Sequence, residues 1–128
     1  MNRENPVSWF EIYVDDIERA KNFYESVLET QMSELPNPTG DGAQMMAFPM
    51  TMEKTNGAAG ALVKMEGMSA GGNSTIIYFE SENCSVEQAR VEDAGGKVFK
   101  TKTDLGNYGF MVLATDPEGN MVGIHSMK

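Results

Sequence analysis

The sequence has one cysteine and no hydrophobic run long enough to cross a membrane. Cys84 has no second cysteine with which to form a disulfide inside the chain. No stretch approaches the ~18 consecutive apolar residues that a membrane span requires. The first residues, MNRENPVSW, lack the apolar core of a secretory signal. We therefore expect a cytoplasmic protein that does not span a membrane.

Basic residues are also scarce. The 128 residues include 10 Lys and Arg against 19 Asp and Glu, which gives a net charge of −9 at pH 7. The few cations are scattered, so the chain would be repelled by a phosphate backbone, and we do not expect a nucleic acid partner. A hydrophobic content of 41% in a chain of this length predicts one folded domain, 1–128.

The chain contains the same order of elements twice. A strand, a helix with apolar residues at helical spacing, and three further strands occupy about 7–66, and the pattern recurs at about 74–126. Turn residues separate the strands, and GMSAGGN at 67–73 joins the two halves. The predicted strands are 7–14, 31–35, 43–50, 59–65, 74–80, 97–103, 108–115 and 120–126.

Capping residues mark the start of both predicted helices. Asp15 and Asp16 offer side-chain oxygens at the start of the first helix. In the second helix, 85–96, Ser85 and Gln88 have the spacing of a capping box, and Gly95 is a stop signal. The chain is therefore predicted to be an α+β protein with two βαβββ modules. The sheet faces without helices would close on each other as a cupped mixed sheet with a cleft inside.

Glu11 is a carboxylate inside an otherwise apolar strand, WFEIYV. Strand alternation puts Trp9, Glu11 and Tyr13 on the face away from the core. The equivalent of Glu11 in the second module, counted back from the helix start, is Tyr78. Three roles remain open for Glu11: a hydrogen bond to Tyr78 or to the backbone that fixes module closure, ligand recognition, and acid-base catalysis.

Several segments together resemble the vicinal oxygen chelate family, the group of glyoxalases, bleomycin resistance proteins and extradiol dioxygenases. They are FEIYVDDIERAKNFYESVL, GALV, STIIYFE, AGGKV and TDPEGNMVGIHS. The resemblance spans nearly the whole chain and keeps the order of every segment. It implies the cupped fold described above and a homodimer.

The resemblance also implies where a divalent metal would be held. Family members use His, Glu or Gln side chains from the first and last strands of each module, and the metal polarises neighbouring substrate oxygens. The matching positions here are Trp9, Ile76, Gly123 and a position near Gly60. None of these side chains has a ligating atom. We therefore expect no metal and no other cofactor; the alternative is Zn, Ni or Mn held by Glu11 and His125.

Other residues are candidates for ligand contacts. Trp9 beside Gly123 would leave a flat surface with space for a planar molecule, although Trp9 filling the cleft as core is equally compatible. His125 follows Gly123 by two residues and shares its face. Tyr108 and Phe110 are candidates for the rim, with their faces unassigned.

The methionine content is high, with 11 in the chain. A group around one predicted strand would suit an adaptable pocket or a subunit interface, or would fill gaps in the core. This group consists of Met45, Met46, Met50 and Met52.

Three functional classes follow from these observations. The favoured one is a metal-free small-molecule-binding protein of the glyoxalase/bleomycin resistance type, with the ligand in the inner cleft. The first alternative is a related enzyme, a lyase, isomerase or dioxygenase acting on adjacent oxygens, with Glu11 as its catalytic base or as a metal ligand. The second is a structural subunit whose cleft is filled by its own side chains.

Overall fold

The computed structural model describes residues 4–5, 7–37, 42–51, 53, 57–72 and 75–128. It contains eight strands, two α-helices and a short 3-10 turn in the order that the sequence predicts. The strands are β1 Trp9–Tyr13, β2 Ser33–Leu35, β3 Gln44–Ala47, β4 Ala59–Lys64, β5 Ile77–Glu80, β6 Lys97–Asp104, β7 Phe110–Thr115 and β8 Met121–Ser126. The helices are α1 Ile17–Leu28 and α2 Cys84–Val91, and the 3-10 turn is Gly106–Tyr108.

Helix α1 begins as its sequence predicts. Asp16 is the N-cap, and its carboxylate accepts a hydrogen bond from the Arg19 backbone N–H at 3.1 Å. This bond satisfies one of the donors that a helix start leaves unpaired. The helix ends at Glu29, which adopts a left-handed conformation with φ of 49°.

The expected capping box of helix α2 is wrong. Asn83 is the N-cap, and its side chain accepts from the Ser85 backbone N–H at 3.1 Å. Gln88 is not used at the cap, since its side-chain oxygen accepts from the Lys102 backbone N–H. The helix ends at Val91, and Gly95 lies in the turn that follows, with φ of 101°.

The eight strands form two separate four-stranded sheets. Sheet 1 has the order β1-β4-β3-β2 and sheet 2 the order β5-β8-β7-β6. In each sheet the first and last strands of the module are parallel neighbours and the other pairs are antiparallel. The two βαβββ modules of the α+β prediction are therefore confirmed.

The core lies on the helix-bearing faces of both sheets. Four aromatic rings pack together in this core, and five of their pairs have centroids 5.4 to 6.0 Å apart. They are Phe10 of β1, Tyr24 of α1, Phe48 directly after β3, and Phe79 of β5. One buried cluster includes Leu62 from sheet 1 and Val122 from sheet 2. Both modules thus share one core, and aromatic pairs at these distances contribute beyond their buried area.

The turn between β7 and β8 joins the two modules by hydrogen bonds. Buried Asp116 accepts from the Tyr24 hydroxyl at 2.8 Å and from the Asn120 side chain at 3.0 Å. The Asn120 amide also donates to the Tyr13 backbone carbonyl at 3.1 Å. Burial and the Asp116 charge raise the pKa of Tyr24 well above its usual value, so its hydroxyl stays a donor.

The faces that carry no helix remain open within one chain. Trp9, Ile76 and Tyr78 lie on or beside them and stay exposed, at 36%, 39% and 49%. Other residues of the same faces, Ala61 and Val63 in sheet 1 and Met111 in sheet 2, are buried. No helix in the described part of the chain is long and apolar enough to span a membrane.

Candidate functional site

Three side chains form a row along the open face of β1. The Trp9 indole N–H donates to Glu11 Oε2 at 3.1 Å, and the Tyr13 hydroxyl donates to Glu11 Oε1 at 2.8 Å. Strand alternation brings the three residues to one face because their spacing is two. Glu11 is thus held between two aromatic rings of its own strand.

The register of sheet 1 gives the neighbours of this row. Trp9 pairs with Ala59, Glu11 with Ala61 and Tyr13 with Val63, so small residues lie beside the aromatic row. Ala61 and Val63 are buried, whereas Trp9 and Glu11 are exposed. The accessible part of this face is therefore the side chains of the row itself.

Tyr78 occupies the matching place on sheet 2. It pairs with Gly123, and a Cβ built at Gly123 would lie 2.3 Å from Tyr78 Cδ1. The phenol ring therefore covers the glycine. The hydrogen bonds of Glu11 in the described structure go to Trp9 and Tyr13, so the expected bond between Glu11 and Tyr78 is not made.

His125 lies on the same face of sheet 2 as Gly123, as its spacing predicts, and pairs with Glu80. Its Nε2 lies 2.6 Å from the Tyr108 backbone oxygen, so it donates to that carbonyl. Tyr108 itself is 78% exposed, beyond the rim of the sheet. The structure therefore places His125 in contact with the Tyr108 turn and not with Glu11.

Phe110 lies on the other side of sheet 2. It pairs with Ser126 and packs against the buried cluster of Cys84, Val112 and Ile124. The Lys102 ammonium lies 4.6 Å from its ring centroid, a cation–π contact. Its position on the helix-bearing side separates it from Tyr78 and Gly123, so it does not line the open face.

The positions that the resemblance assigns to a metal carry no ligands. Trp9, Ile76 and Gly123 have side chains without a cation-binding atom. The fourth position was expected near Gly60; a Cβ at Gly60 itself would meet the Phe10 ring on the helix-bearing side. Ala61 is the true counterpart, because it pairs with Glu11 as Gly123 pairs with Tyr78. Among the described residues no group of three or more His, Cys, Asp or Glu could hold a metal.

A groove runs beside the row on β1. It has a volume of about 220 Å³ and lies between β1 and the first residues of β5 and β8. Its lining includes Glu11 and Tyr13 of β1, the apolar side chains of Met68, Ile77 and Met121, and the polar side chains of Ser69, Thr75 and Asn120. The groove is smaller than the roughly 300–1,000 Å³ typical of drug-sized ligands, so it fits a small group.

One contact of this site was missed from the sequence. Tyr13 lies on the face that the sequence predicts, but its hydrogen bond to Glu11 was not predicted, although the spacing of two residues already indicated that the two side chains are neighbours.

The four methionines singled out in the sequence do not form one group. Met45 pairs with Val63 on the open face, Met46 packs against the core and Met50 is exposed. Met52 lies outside the described residues.

Comparison with known proteins gives a family and several relatives. Residues 7–124 match the family model described as Glyoxalase/Bleomycin resistance protein/Dioxygenase superfamily. CFP32 of Mycobacterium bovis and of Mycobacterium tuberculosis, provisionally named a glyoxylase, is 31% identical over 95% of this chain. The chain spans about half the length of these curated relatives, at 46%.

Solved structures share the fold. A mutant of glyoxalase I from Zea mays superposes with a TM-score of 0.75 at 19% identity, over 95% of this chain and 47% of that one. TnmS3, an antibiotic-binding protein from Streptomyces sp. CB03234, superposes with a TM-score of 0.66 at 22% identity, over 98% of both chains. The same scaffold is thus found in a protein named as an enzyme and in one named as a binding protein.

Proposed function

This chain belongs to the glyoxalase/bleomycin resistance protein/dioxygenase superfamily, and from that premise we propose that it binds a small planar molecule without a metal. The ligand lies on the open face of sheet 1, against the ring of Trp9. The observation that carries the proposal is an exposed indole, oriented by its hydrogen bond to Glu11, at the position that the family resemblance assigns to a metal ligand. Aromatic rings with a polar edge are effective anchors for flat ligands.

The donor chemistry supports a site that works without a metal. The side chains at the four assigned positions offer no lone pair to a cation. They are the indole of Trp9, the alkyl groups of Ile76 and Ala61, and the hydrogen of Gly123. Space supports it further, since Tyr78 covers the side of Gly123 on which a longer side chain would have to lie. Nothing in this donor set matches the His, Asp, Glu or Cys ligands of known metal sites.

Binding is favoured over catalysis because of the contacts of Glu11. Both of its oxygens accept hydrogen bonds, from Trp9 and from Tyr13, which suits a fixed recognition group. TnmS3, an antibiotic-binding protein, supports the same choice by analogy of fold alone.

We include two chains and a cytoplasmic location in the proposal. Trp9, Ile76 and Tyr78 expose large apolar surfaces on the faces without helices, and a second copy covering them would complete the cleft. Light scattering after gel filtration tests the pairing, and a mass of one chain would contradict it.

Metal analysis and ligand titration together test the function. Protein purified without chelators is expected to hold far less than one equivalent of Zn, Ni or Mn, and its thermal midpoint is expected not to rise when these ions are added. Trp9 is the only tryptophan, so its emission reports this face alone. Its emission is expected to change on titration with planar compounds such as quinoline, 1-methylnaphthalene and acridine.

Two variants complete the test, with calorimetry as the readout. Trp9→Ala is expected to abolish binding of the same compounds, whereas Tyr108→Ala, which removes an exposed ring away from the face, is expected to leave it unchanged. Retention of one tightly held metal per chain would overturn the proposal in favour of a metal-dependent lyase or isomerase. Loss of binding in both variants, or in neither, would also overturn it.

A further inference from the structure

We propose that the ligand of this face is an organic cation, with its ring on Trp9 and its positive charge beside Glu11. The inference rests on the proposed function, since it names the charge of the ligand for the same site. Four observations carry it: the charge of the face, the hydrogen bonding of Glu11, the two flanking rings and the adjoining groove.

Among the strand residues that the structure describes, the open face of sheet 1 carries one charge, and it is negative. The ladder register places ten described residues on this face, and Glu11 is the only one of them that is ionisable at neutral pH. They are Trp9, Glu11, Tyr13, Ser33, Leu35, Met45, Ala47, Ala59, Ala61 and Val63. Because the strand residues of this face include no Lys, Arg or His, the carboxylate has no cation of its own face as a partner.

The two hydrogen bonds of Glu11 position its charge without neutralising it. Both donors, the Trp9 indole and the Tyr13 hydroxyl, are neutral groups. A carboxylate has about four lone-pair sites on its two oxygens, so these two bonds leave sites for a further donor. An ammonium or amidinium group above the strand would form a charge-assisted hydrogen bond there.

The flanking rings favour the same kind of ligand. The indole of Trp9 and the phenol of Tyr13 lie on either side of the carboxylate along the strand. The face of an aromatic ring attracts a cation, and tryptophan does so most strongly. Strand β1, Trp9–Tyr13, therefore offers a cation both the attraction of an aromatic ring face and that of a carboxylate.

The groove beside Glu11 and Tyr13 provides a place for the charged group. Its volume of about 220 Å³ is too small for a large ring system but sufficient for a substituted ammonium. Its lining includes the apolar side chains of Met68, Ile77 and Met121 as well as the polar side chains of Ser69, Thr75 and Asn120. The apolar part of this lining lowers the screening by water and strengthens the attraction between Glu11 and a cation.

The charge of the whole chain acts in the same direction. A net charge of −9 raises the local concentration of cations and lowers that of anions. An anionic ligand at this face would meet Glu11 with no counter-charge among the strand residues around it. The geometry thus selects against carboxylates and phosphates.

Three planar probes of equal size and different charge test the inference. They are 1-naphthylmethylammonium, a cation whose N–H groups can donate to Glu11, 1-ethylnaphthalene, which is neutral, and 1-naphthoate, which is an anion. Affinities come from calorimetry, and the single indole N–H signal in nitrogen-15 spectra reports contact with Trp9. The cation is expected to bind about tenfold more tightly than the neutral probe, and the anion more weakly than both.

Two charge-removing variants identify the group responsible. Glu11→Gln keeps the size and an acceptor oxygen, and it is expected to bring the affinity ratio of cation to neutral probe close to one. Glu34→Gln removes an equal charge from the neighbouring strand β2, where Glu34 pairs with Met46 on the opposite face. This control is expected to preserve the ratio.

The outcomes separate this inference from the proposed function. If the neutral probe binds as tightly as the cation and both shift the Trp9 signal, the face binds planar molecules but the charge inference is wrong. If Glu34→Gln lowers the ratio as much as Glu11→Gln, the preference comes from the net charge and the inference is also wrong. If no probe shifts the Trp9 signal, the proposed function itself fails.

Discussion

The Glu118 carboxylate lies 2.6 Å from the Arg19 guanidinium and so connects the turn before β8 to helix α1. The same carboxylate accepts from the backbone N–H groups of Asp15 and Asp16, at 3.0 and 3.1 Å. The Glu118 side chain is 1% exposed, against 51% for Arg19. Glu118 is therefore the buried member of the ion pair, and its carboxylate also binds the backbone N–H groups at the start of helix α1.

Glu118→Ala is expected to destabilise the protein by about 3 kcal/mol, because it removes a buried acceptor from two backbone donors and from Arg19. Arg19→Ala is expected to cause a smaller loss, since Glu118 keeps both backbone N–H groups. Chemical denaturation of the two variants measures the difference. Equal losses would show that the ion pair, and not the helix start, is the main contribution.

Tyr24→Phe is expected to lower the free energy of unfolding by about 1.5–3 kcal/mol, since a buried hydrogen bond to the Asp116 carboxylate is lost. Tyr108→Phe removes the same hydroxyl from an exposed ring and is expected to change stability by less than about 0.5 kcal/mol. Urea unfolding compares the two.

The Tyr24 hydroxyl also makes the free energy of unfolding decrease with rising pH in the alkaline range. Its pKa is raised in the folded state, so its contribution is complete below the usual value of 10.0 and is lost as the pH rises toward the folded pKa. Tyr24→Phe is expected to remove this part of the alkaline loss. A variant that unfolds at high pH as steeply as the wild type would contradict this.

Local patterns in the sequence predict most of the fold. Asp16 signals the start of α1, and alternation places Trp9 and Glu11 on the correct face. The contacts of the candidate site were harder to predict from the sequence, because they depend on strand register and on residues that are distant along the chain. The turn containing Glu118 contacts residues about one hundred positions earlier, and no local pattern encodes that distance. Counting along the sequence gave the fourth metal position only as near Gly60, and a difference of one residue moves a side chain to the opposite face of a strand.

Glu25 is expected to stabilise the protein less at acidic pH. Its pKa is lowered, first by the hydrogen bond from the Met32 backbone N–H at 2.8 Å and then by Lys21. A carboxyl with a lowered folded pKa contributes stability above its unfolded value, 4.5, and loses it as the pH falls through the folded pKa. The difference in thermal midpoint between the wild type and Glu25→Gln should shrink between about pH 6 and pH 3. A constant difference would contradict this origin.

Two glycines of the parallel strand pairs are covered by aromatic rings, and they should respond differently to alanine. A Cβ at Gly60 would lie 2.5 Å from ring atoms of Phe10, and one at Gly123 would lie 2.3 Å from the Tyr78 ring. Phe10 is confined by Phe48 and Phe79, with ring centroids 5.6 and 6.0 Å away, whereas Tyr78 is 49% exposed and has room to turn aside. Gly60→Ala should therefore destabilise the protein by about 3 kcal/mol and Gly123→Ala by about 1 kcal/mol.

A double-mutant cycle shows whether the rings are the cause. Tyr78→Ala combined with Gly123→Ala should recover the loss caused by Gly123→Ala alone, because the removed ring is what the new methyl group meets. Additive effects in urea unfolding would mean that the strain lies in the backbone of β8. The coupling also tests whether a metal-binding side chain would fit at Gly123. If Tyr78 must turn aside for a single methyl group, a longer side chain at Gly123 could approach a bound ion only after the Tyr78 ring is displaced.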